Sequence, residues 1–174
     1  MFRLRSERYA LVKYGSYALL MVGLFLLQSS RGTDLRLWGG AWNMMPFFVA
    51  SVALLDGPYA GGGFGFAAGM LLAVNSTMPE GLSALLLSLF GILFGLFGSE
   101  YLRPVILSAL SGGLICMTMQ AALRYLFYYL LVYRAGPGWA LRQFAGELIL
   151  ALPAGALVWL IVRRLHRRFT EETL

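Results

Sequence analysis

Residues 57–79 read GPYAGGGFGFAAGMLLAVNSTMP, with no charged side chain between Asp56 and Glu80. A helix needs about 20 mostly apolar residues to cross the hydrocarbon core of a bilayer, because each residue advances the helix by about 1.5 Å. This stretch is long enough for one crossing. Its sequence therefore predicts a transmembrane helix.

Apolar residues dominate the rest of the chain as well. Of its 174 residues, 59% are hydrophobic and 13% are charged, against about 45–50% and about 25% in an average soluble domain. The apolar residues are grouped into uncharged runs, and no linker separates two differently composed halves. We therefore expect an all-α integral membrane protein with a single polytopic membrane domain over residues 1–174.

Charged residues delimit six candidate spans. A charge at the bilayer centre costs about 2.5–3.5 kcal/mol on insertion scales, so each helix is expected to run from one charge to the next. The prediction is a bundle of six transmembrane helices, with spans at 14–30, 37–55, 57–79, 81–99, 104–124 with an interfacial extension to 133, and 143–162.

Six spans place both termini on the same side of the membrane. Of the 14 Lys and Arg residues, nine fall on the side of the termini, and basic residues accumulate in cytoplasmic segments. Both termini are therefore predicted to be cytoplasmic. This asymmetry accounts for the net charge of +6 without nucleic acid as a partner. The basic tail is expected to contact anionic lipid or a cytoplasmic partner through Arg163, Arg164, Arg167 and Arg168.

Small residues form a stripe along the third predicted span. Small side chains let helix backbones approach closely, which is a principal source of helix association in lipid. We expect the stripe to pack helices within the chain, and docking on another membrane protein is the alternative. The stripe consists of Gly57, Gly61, Gly65 and Gly69, and the fourth span carries a weaker copy at Gly91 and Gly95.

Charged residues at the span ends are candidates for ion pairs. The predicted topology puts Asp56 and Arg103 on the cytoplasmic side, and Arg124 and Glu147 on the outer side. We predict that Asp56 pairs with Arg103 and that Arg124 pairs with Glu147. Ionisable groups near membrane depth are functional candidates, but at span ends we expect structural pairing or interfacial anchoring.

Residues for catalysis or metal binding are scarce. Cys116 is the single cysteine and His166 the single histidine, so no disulfide framework, cysteine-based metal site or catalytic triad is expected. The glycine-rich run lacks the Gly-Lys-Ser/Thr of a phosphate-binding loop. The protein is therefore predicted not to be an enzyme and to need no cofactor.

Several short motifs follow one another in a fixed order. They are Leu26-Leu27-Gln28-Ser29-Ser30 at the end of the first span, Pro46 before the apolar run 47–55, Asp56-Gly57-Pro58, Gly65-Phe66-Ala67-Ala68-Gly69-Met70-Leu71-Leu72, and Gly81-Leu82. This order resembles the rod shape-determining protein MreD family of bacteria. The family commonly carries an acidic residue a few positions after the second glycine of the fourth motif, where this chain has Ala73 and Val74.

The resemblance implies a non-catalytic scaffold of the cell-elongation machinery in the bacterial cytoplasmic membrane. Such a protein binds MreC and links MreB filaments to the peptidoglycan polymerase RodA and its transpeptidase partner. It also implies a fold similar to the substrate-binding subunit of energy-coupling-factor transporters. A vitamin-capturing subunit of that kind is the alternative function, and its pocket would be lined by Asn75, Thr77, Glu80 and Arg124. Asn43 and Gln120 are further polar residues within membrane reach.

Overall fold

The computed structural model describes residues 2–30, 36–37, 40–75, 81–101, 103–127 and 137–171. Within these ranges the fold is helical apart from one pair of two-residue antiparallel strands. The elements are α1 (Phe2–Ser29), β1 (Arg36–Leu37), β2 (Gly40–Ala41), α2 (Met45–Asn75), α3 (Leu82–Tyr101), α4 (Ile106–Arg124) and α5 (Pro137–Glu171).

Helix α2 is broken at Gly57 into a first arm, 45–56, and a second arm, 58–75. Gly57 has φ 85° and ψ −173°, a conformation that a side chain with a Cβ rarely adopts. Pro58 disfavours a helical conformation in the residue before it. Its own φ is fixed by the ring at a value that suits the first turn of the second arm. The Gly-Pro pair therefore ends one helix and begins the next.

The two arms of α2 lie side by side. A Cβ at Gly61 would lie less than 3.0 Å from Ala53, and the rings of Phe48 and Phe64 are 6.0 Å apart. In a straight helix, residues eight positions apart are separated by about 12 Å along the axis. Helix α2 is therefore a hairpin, with its turn at Gly57.

Helix α3 packs antiparallel against the second arm of α2. The two backbones are so close that a Cβ added at Gly61, Gly65, Gly69, Gly91 or Gly95 would overlap atoms of the other helix, whereas a Cβ at Gly57, in the turn, would meet no atom within 4 Å. Such proximity is possible only where the side chain is a hydrogen atom. The facing pairs are Gly69 with Ala84, Gly65 with Leu87, Gly61 with Gly91, and Gly57 with Gly95.

Two phenylalanine rings join these segments to α4 and α5. Phe47 of the first arm, which is fully buried, lies against Gly113 of α4 and Gly155 of α5. Phe94 of α3 lies against Gly112 of α4. Each ring fills the space beside a glycine, and a larger residue in place of the glycine would close that space. These contacts determine how the α2 hairpin packs against the last two helices.

The bundle has two ends. At the end formed by the turn of α2, Asp56 contacts Lys13 in the first half of α1 and His166 near the end of α5. At the other end, the side chain of Gln28 near the end of α1 accepts a hydrogen bond from the backbone of Met44. We call these the turn end and the opposite end.

Three helices in the described part of the chain are long and apolar enough to cross a membrane. They are Leu11–Ser29, Ile106–Phe127 and Ala140–Phe169, and Leu82–Gly98 is a shorter apolar helix. By length and composition, the chain is a helical membrane protein, as the sequence predicted.

The predicted span 37–55 is wrong in its first half. Strands β1 and β2 occupy part of it, and helix begins only at Met45, whose backbone N–H donates to the side chain of Asn43 at 3.3 Å. The first arm, 45–56, is therefore about 18 Å long, shorter than the hydrocarbon core of about 30 Å. The rule that places boundaries at charges missed this start because no charged residue lies there.

The other helices differ from the predicted spans mainly at their ends. Helix α1 begins before residue 14, and α5 runs from Pro137 to Glu171 rather than over 143–162. Charged residues end a membrane span but not a helix, because basic side chains are good helix formers in water. Residues 76–79 and 128–133, assigned to the third span and the interfacial extension, lie outside the described residues.

Candidate functional site

A cluster of polar side chains surrounds the turn of α2. Asp56 immediately precedes the turn, and its Oδ1 atom pairs with the ammonium of Lys13 and lies 3.4 Å from Nδ1 of His166. The same histidine nitrogen is 3.4 Å from the hydroxyl of Tyr17. We call Lys13, Tyr17, Asp56 and His166 the turn cluster. It connects α1, α2 and α5.

The geometry of the turn cluster follows from the spacing of its residues. Lys13 and Tyr17 are four residues apart on α1 and therefore share one face. The side chain of Asp56 is 6% exposed, and removing a carboxylate from water costs several kcal/mol unless it is paired. Lys13 and His166 supply that pairing at Oδ1. The other oxygen, Oδ2, is buried and has no hydrogen-bond partner among the described residues.

The predicted ion pair between Asp56 and Arg103 is wrong. Asp56 pairs with Lys13 instead, and the side chain of Arg103 is exposed. Both basic residues belong to the side predicted for Asp56, so the sequence left the partner open. The choice depends on which helix lies beside the turn, and α1 lies there, with Tyr17 against Phe64 of the second arm.

The second predicted pair, Arg124 with Glu147, is brought together. Nη1 of Arg124 at the end of α4 donates to Oε1 of Glu147 at 2.6 Å, and the carboxylate side chain is 5% exposed. Gln143, one turn earlier on α5, donates to the same oxygen at 3.4 Å. This opposite-end cluster of Arg124, Gln143 and Glu147 links α4 to α5.

A third polar contact ties α4 to the beginning of α2. The amide of Asn43 donates to Gln120 at 3.2 Å, and both residues are buried. The indole Nε1 of the neighbouring Trp42 is buried and has no hydrogen-bond partner among the described residues. Interhelical hydrogen bonds of this kind stabilise membrane bundles modestly.

The predicted glycine stripe is occupied inside the chain. Three of its members pack against α3, whose own Gly91 and Gly95 complete the contact, so these positions cannot receive another protein. Gly57 stands apart from the stripe because it forms the turn. The internal-packing interpretation therefore describes these residues, and a docking surface must lie elsewhere.

The basic residues of the tail lie on the last turns of α5. Arg164, Arg167 and Arg168 are exposed and Arg163 is half-buried. Of the residues proposed to line a vitamin pocket, Thr77 and Glu80 and the side chain of Asn75 lie outside the described residues. The structure therefore places only Arg124 from that set, in the opposite-end cluster.

The sequence did not single out Lys13, Tyr17 or His166 as site residues. The sequence places His166 in a basic tail, with no Cys, Asp or Glu at ligand spacing from it. The available signal was that Lys13 directly precedes the first predicted span and His166 follows the last one, both on the side predicted for Asp56, whereas Tyr17 lies inside the first predicted span. Among the described residues, no group of His, Cys, Asp and Glu could hold a metal ion.

The outer surface of the α2–α3 pair is apolar and exposed. On the second arm the exposed residues recur every three or four positions, which defines one helix face, and α3 has a similar stripe. We call this surface the hairpin face. Its large members are Tyr59, Phe66, Met70 and Val74 on α2, and Leu85, Leu89, Leu93, Leu96 and Phe97 on α3.

The chain matches no protein family, curated protein or solved structure.

Proposed function

We propose that this protein is a non-catalytic membrane scaffold of the bacterial cell-elongation machinery. It would bind MreC and link MreB filaments to RodA and its transpeptidase partner in the cytoplasmic membrane, and so maintain rod shape. The observation that carries the proposal is the hairpin face, an exposed apolar surface on two closely packed helices. Exposed apolar side chains of membrane helices meet either lipid or the helix of another membrane protein, and the proposal assigns this face to the second.

The motifs behind the resemblance to the MreD family support the proposal. Asp56-Gly57-Pro58 forms the turn of α2 and the centre of the turn cluster. Gly65 and Gly69 make the close approach to α3. These motifs therefore build the platform that carries the hairpin face, which explains why their order would matter to a scaffold.

Six crossings with both termini in the cytoplasm are part of the proposal. The two arms of α2 count as two of them, the first as a short helix beside which the bilayer would be locally thinner, so the chain alternates between the turn end and the opposite end. The turn end then faces the cytoplasm, because it carries Lys13 and the basic tail of α5, as the positive-inside rule requires. The fold would be similar to the substrate-binding subunit of energy-coupling-factor transporters.

The hairpin face is the surface we assign to the transmembrane helix of MreC. Phe66 and Met70 lie at its centre and are each about half exposed. Truncating a central large side chain typically removes more binding energy than truncating a peripheral one. The exposed tail residues are left for anionic lipid or a cytoplasmic partner such as MreB.

The test is retention of MreC by the tagged full-length protein in mild detergent. We expect Phe66→Ala combined with Met70→Ala to reduce the amount of retained MreC by about tenfold, corresponding to about 1.4 kcal/mol. Leu19→Ala combined with Leu107→Ala is the matched control, since both residues are exposed apolar side chains on other helices. Equal retention by the two double variants would refute this surface, and no retention by the unmodified protein would refute the scaffold.

Capture of a vitamin is the competing function, and one observation favours it. The buried pair Asn43 and Gln120 and the unpartnered indole of Trp42 place polar atoms near the opposite end. That end would face outward, where a capturing subunit meets its substrate. A vitamin released from the purified protein by denaturation would support this function over the scaffold.

A further inference from the structure

The last turns of α5 carry a basic face at the turn end of the bundle. Arg167 and Arg168 follow Arg164 by three and four positions, the spacing that brings residues together on one face of a helix. All three are exposed, and none of their side chains has an ion pair or a hydrogen-bond partner among the described residues. We call these three residues the basic stripe. Its guanidinium groups are therefore open to a ligand.

Acidic residues of the chain do not balance this charge. Segment 163–172 contains four arginines and two glutamates, which leaves a net charge of +2 with histidine neutral. At the same end of the bundle, Asp56 is buried and pairs with Lys13, and Glu100 lies on α3, three positions before the exposed Arg103. The segment therefore keeps an excess of cations that an anionic ligand would neutralise.

The face that carries the basic stripe continues towards the centre of the bundle as an apolar face. Leu157, Leu160 and Ile161 lie seven, four and three positions before Arg164, so they share its side of α5. All three are exposed. A change from apolar to charged side chains along one exposed face is expected where a membrane helix leaves the hydrocarbon core.

Distances along α5 place the basic stripe in the headgroup layer. Arg142 is exposed near the beginning of the helix and lies 22 residues before Arg164, or about 33 Å along the axis. The hydrocarbon core is about 30 Å thick. The stripe itself extends over about 6 Å, from Arg164 to Arg168, and each headgroup layer is about 5–8 Å thick. This position favours a lipid headgroup over a cytoplasmic protein as the ligand.

We propose that the basic stripe binds the headgroup phosphate of an anionic phospholipid. Arg164 and Arg168, one helical turn apart, can donate N–H groups to the same phosphate, and the apolar face described above contacts the acyl chains. A zwitterionic lipid brings an ammonium group that the excess positive charge repels, so the anionic lipid is preferred. The proposal rests on the proposed function only for the crossing of α5, and not for any binding of MreC.

Lipid titration of the full-length protein in detergent tests the charge of the site, with bound lipid counted by native mass spectrometry. The probes are phosphatidylglycerol and phosphatidylethanolamine. Each basic residue near an anionic surface strengthens binding about fivefold. We therefore expect Arg164→Gln to weaken phosphatidylglycerol binding about fivefold, and Arg164→Gln combined with Arg168→Gln to weaken it about 30-fold. Phosphatidylethanolamine binding should stay unchanged, which also shows that the variants are folded.

Arg103→Gln is the matched control for Arg164→Gln. It removes the same charge from an exposed position at the same end of the bundle, but outside the basic stripe. We expect phosphatidylglycerol binding to be the same as in the unmodified protein. A loss equal to that of Arg164→Gln would show that net charge alone attracts the lipid, and would overturn the site.

Photochemical cross-linking locates the bound lipid. The full-length protein is placed in vesicles of phosphatidylethanolamine and phosphatidylglycerol, one of which carries a diazirine in its acyl chain near the headgroup. We expect the phosphatidylglycerol probe to give more adducts within 157–161 than the phosphatidylethanolamine probe. Arg164→Gln combined with Arg168→Gln should remove that difference.

Two further outcomes would overturn the proposal. Equal adduct yields within 157–161 from both lipids would show an unselective lipid boundary. A polypeptide cross-linked to this face in native membranes, in place of lipid, would show that a protein is the ligand. The scaffold function is judged separately on the unmodified protein. MreC retained without a preference for phosphatidylglycerol would refute the lipid site alone, and the reverse result would refute the scaffold alone.

Discussion

Lys13 of α1 and Asp56 at the turn of α2 form an ion pair across 43 positions of sequence. The pair matters for α1 because a small part of this helix is buried. The buried share of its candidate membrane span is 17%, against 33% and 44% for the candidate spans of α4 and α5. We infer that the turn cluster helps to hold α1 against the bundle, together with the buried side chains of Tyr17, Met21 and Leu24.

Lys13→Met tests this attachment. The substitution leaves a buried carboxylate without its ammonium partner, and breaking a buried pair in this way costs about 3 kcal/mol. We expect a lower midpoint of thermal unfolding in detergent, followed by circular dichroism. Asp56→Leu in the Lys13→Met background should recover most of the loss, because it removes the unpaired charge.

Arg103→Met is the control for that experiment. Arg103 is exposed and does not pair with Asp56, so its replacement should leave the unfolding midpoint unchanged. A loss as large as that of Lys13→Met would mean that the aspartate is paired with Arg103 in the membrane.

Gly65→Ala tests the close approach of α2 and α3. The added methyl group would overlap the backbone of Leu87, and overpacking of this kind typically costs about 1–3 kcal/mol. Gly63→Ala is the matched control two residues earlier, where a Cβ meets nothing within 4 Å. We expect Gly65→Ala to lower the unfolding midpoint and Gly63→Ala to leave it unchanged or raise it. Equal effects would contradict the interhelical contact.

Gly57→Ala tests the turn separately from the packing. A Cβ at Gly57 would meet no neighbouring atom, but φ is +85° and ψ is −173° there, and an L-residue in such a conformation costs about 1–3 kcal/mol. We therefore expect destabilisation by strain alone, measured by the same thermal unfolding. Gly15→Ala on α1 also meets no atom, has no such φ, and should be neutral or slightly stabilising. An unchanged unfolding midpoint in the Gly57→Ala variant would indicate that α2 is a straight helix.

Charge and hydropathy predicted a helical membrane protein, of which three helices are long and apolar enough to cross a membrane, but not how the helices are arranged side by side. The end of the run at Asp56 was predicted because a charge marks it. The pair of Arg124 with Glu147 was predictable because the two residues belong to consecutive helices and lie at the same end. The partner of Asp56 depends on lateral packing, which no periodicity in the sequence encodes.

Packing between bulky and small residues was the other feature that the sequence did not reveal. Phe47 fills a notch made by Gly113 and Gly155. Glycine in a membrane helix is common, so neither residue is distinctive alone. Their role follows only when three helices are placed together. The stripe of Gly61, Gly65 and Gly69 was recognisable because the repeat itself defines a helix face.

The proposed topology predicts which positions are accessible from each side of the membrane. In a Cys116→Ser background, Gly138→Cys at the beginning of α5 should react with a membrane-impermeant maleimide added to intact spheroplasts. Arg103→Cys, also exposed, should react only after the membrane is opened. Reaction at both positions in intact spheroplasts would contradict six crossings with cytoplasmic termini.

The central claim is that the protein acts by holding other membrane proteins. The most direct measurement is mass spectrometry of everything that co-purifies with the tagged protein from its own membranes, both polypeptides and small molecules. We expect MreC together with RodA and its transpeptidase partner, and no vitamin. Recovery of coupling ATPases or a bound vitamin without MreC would contradict it and establish a transport function.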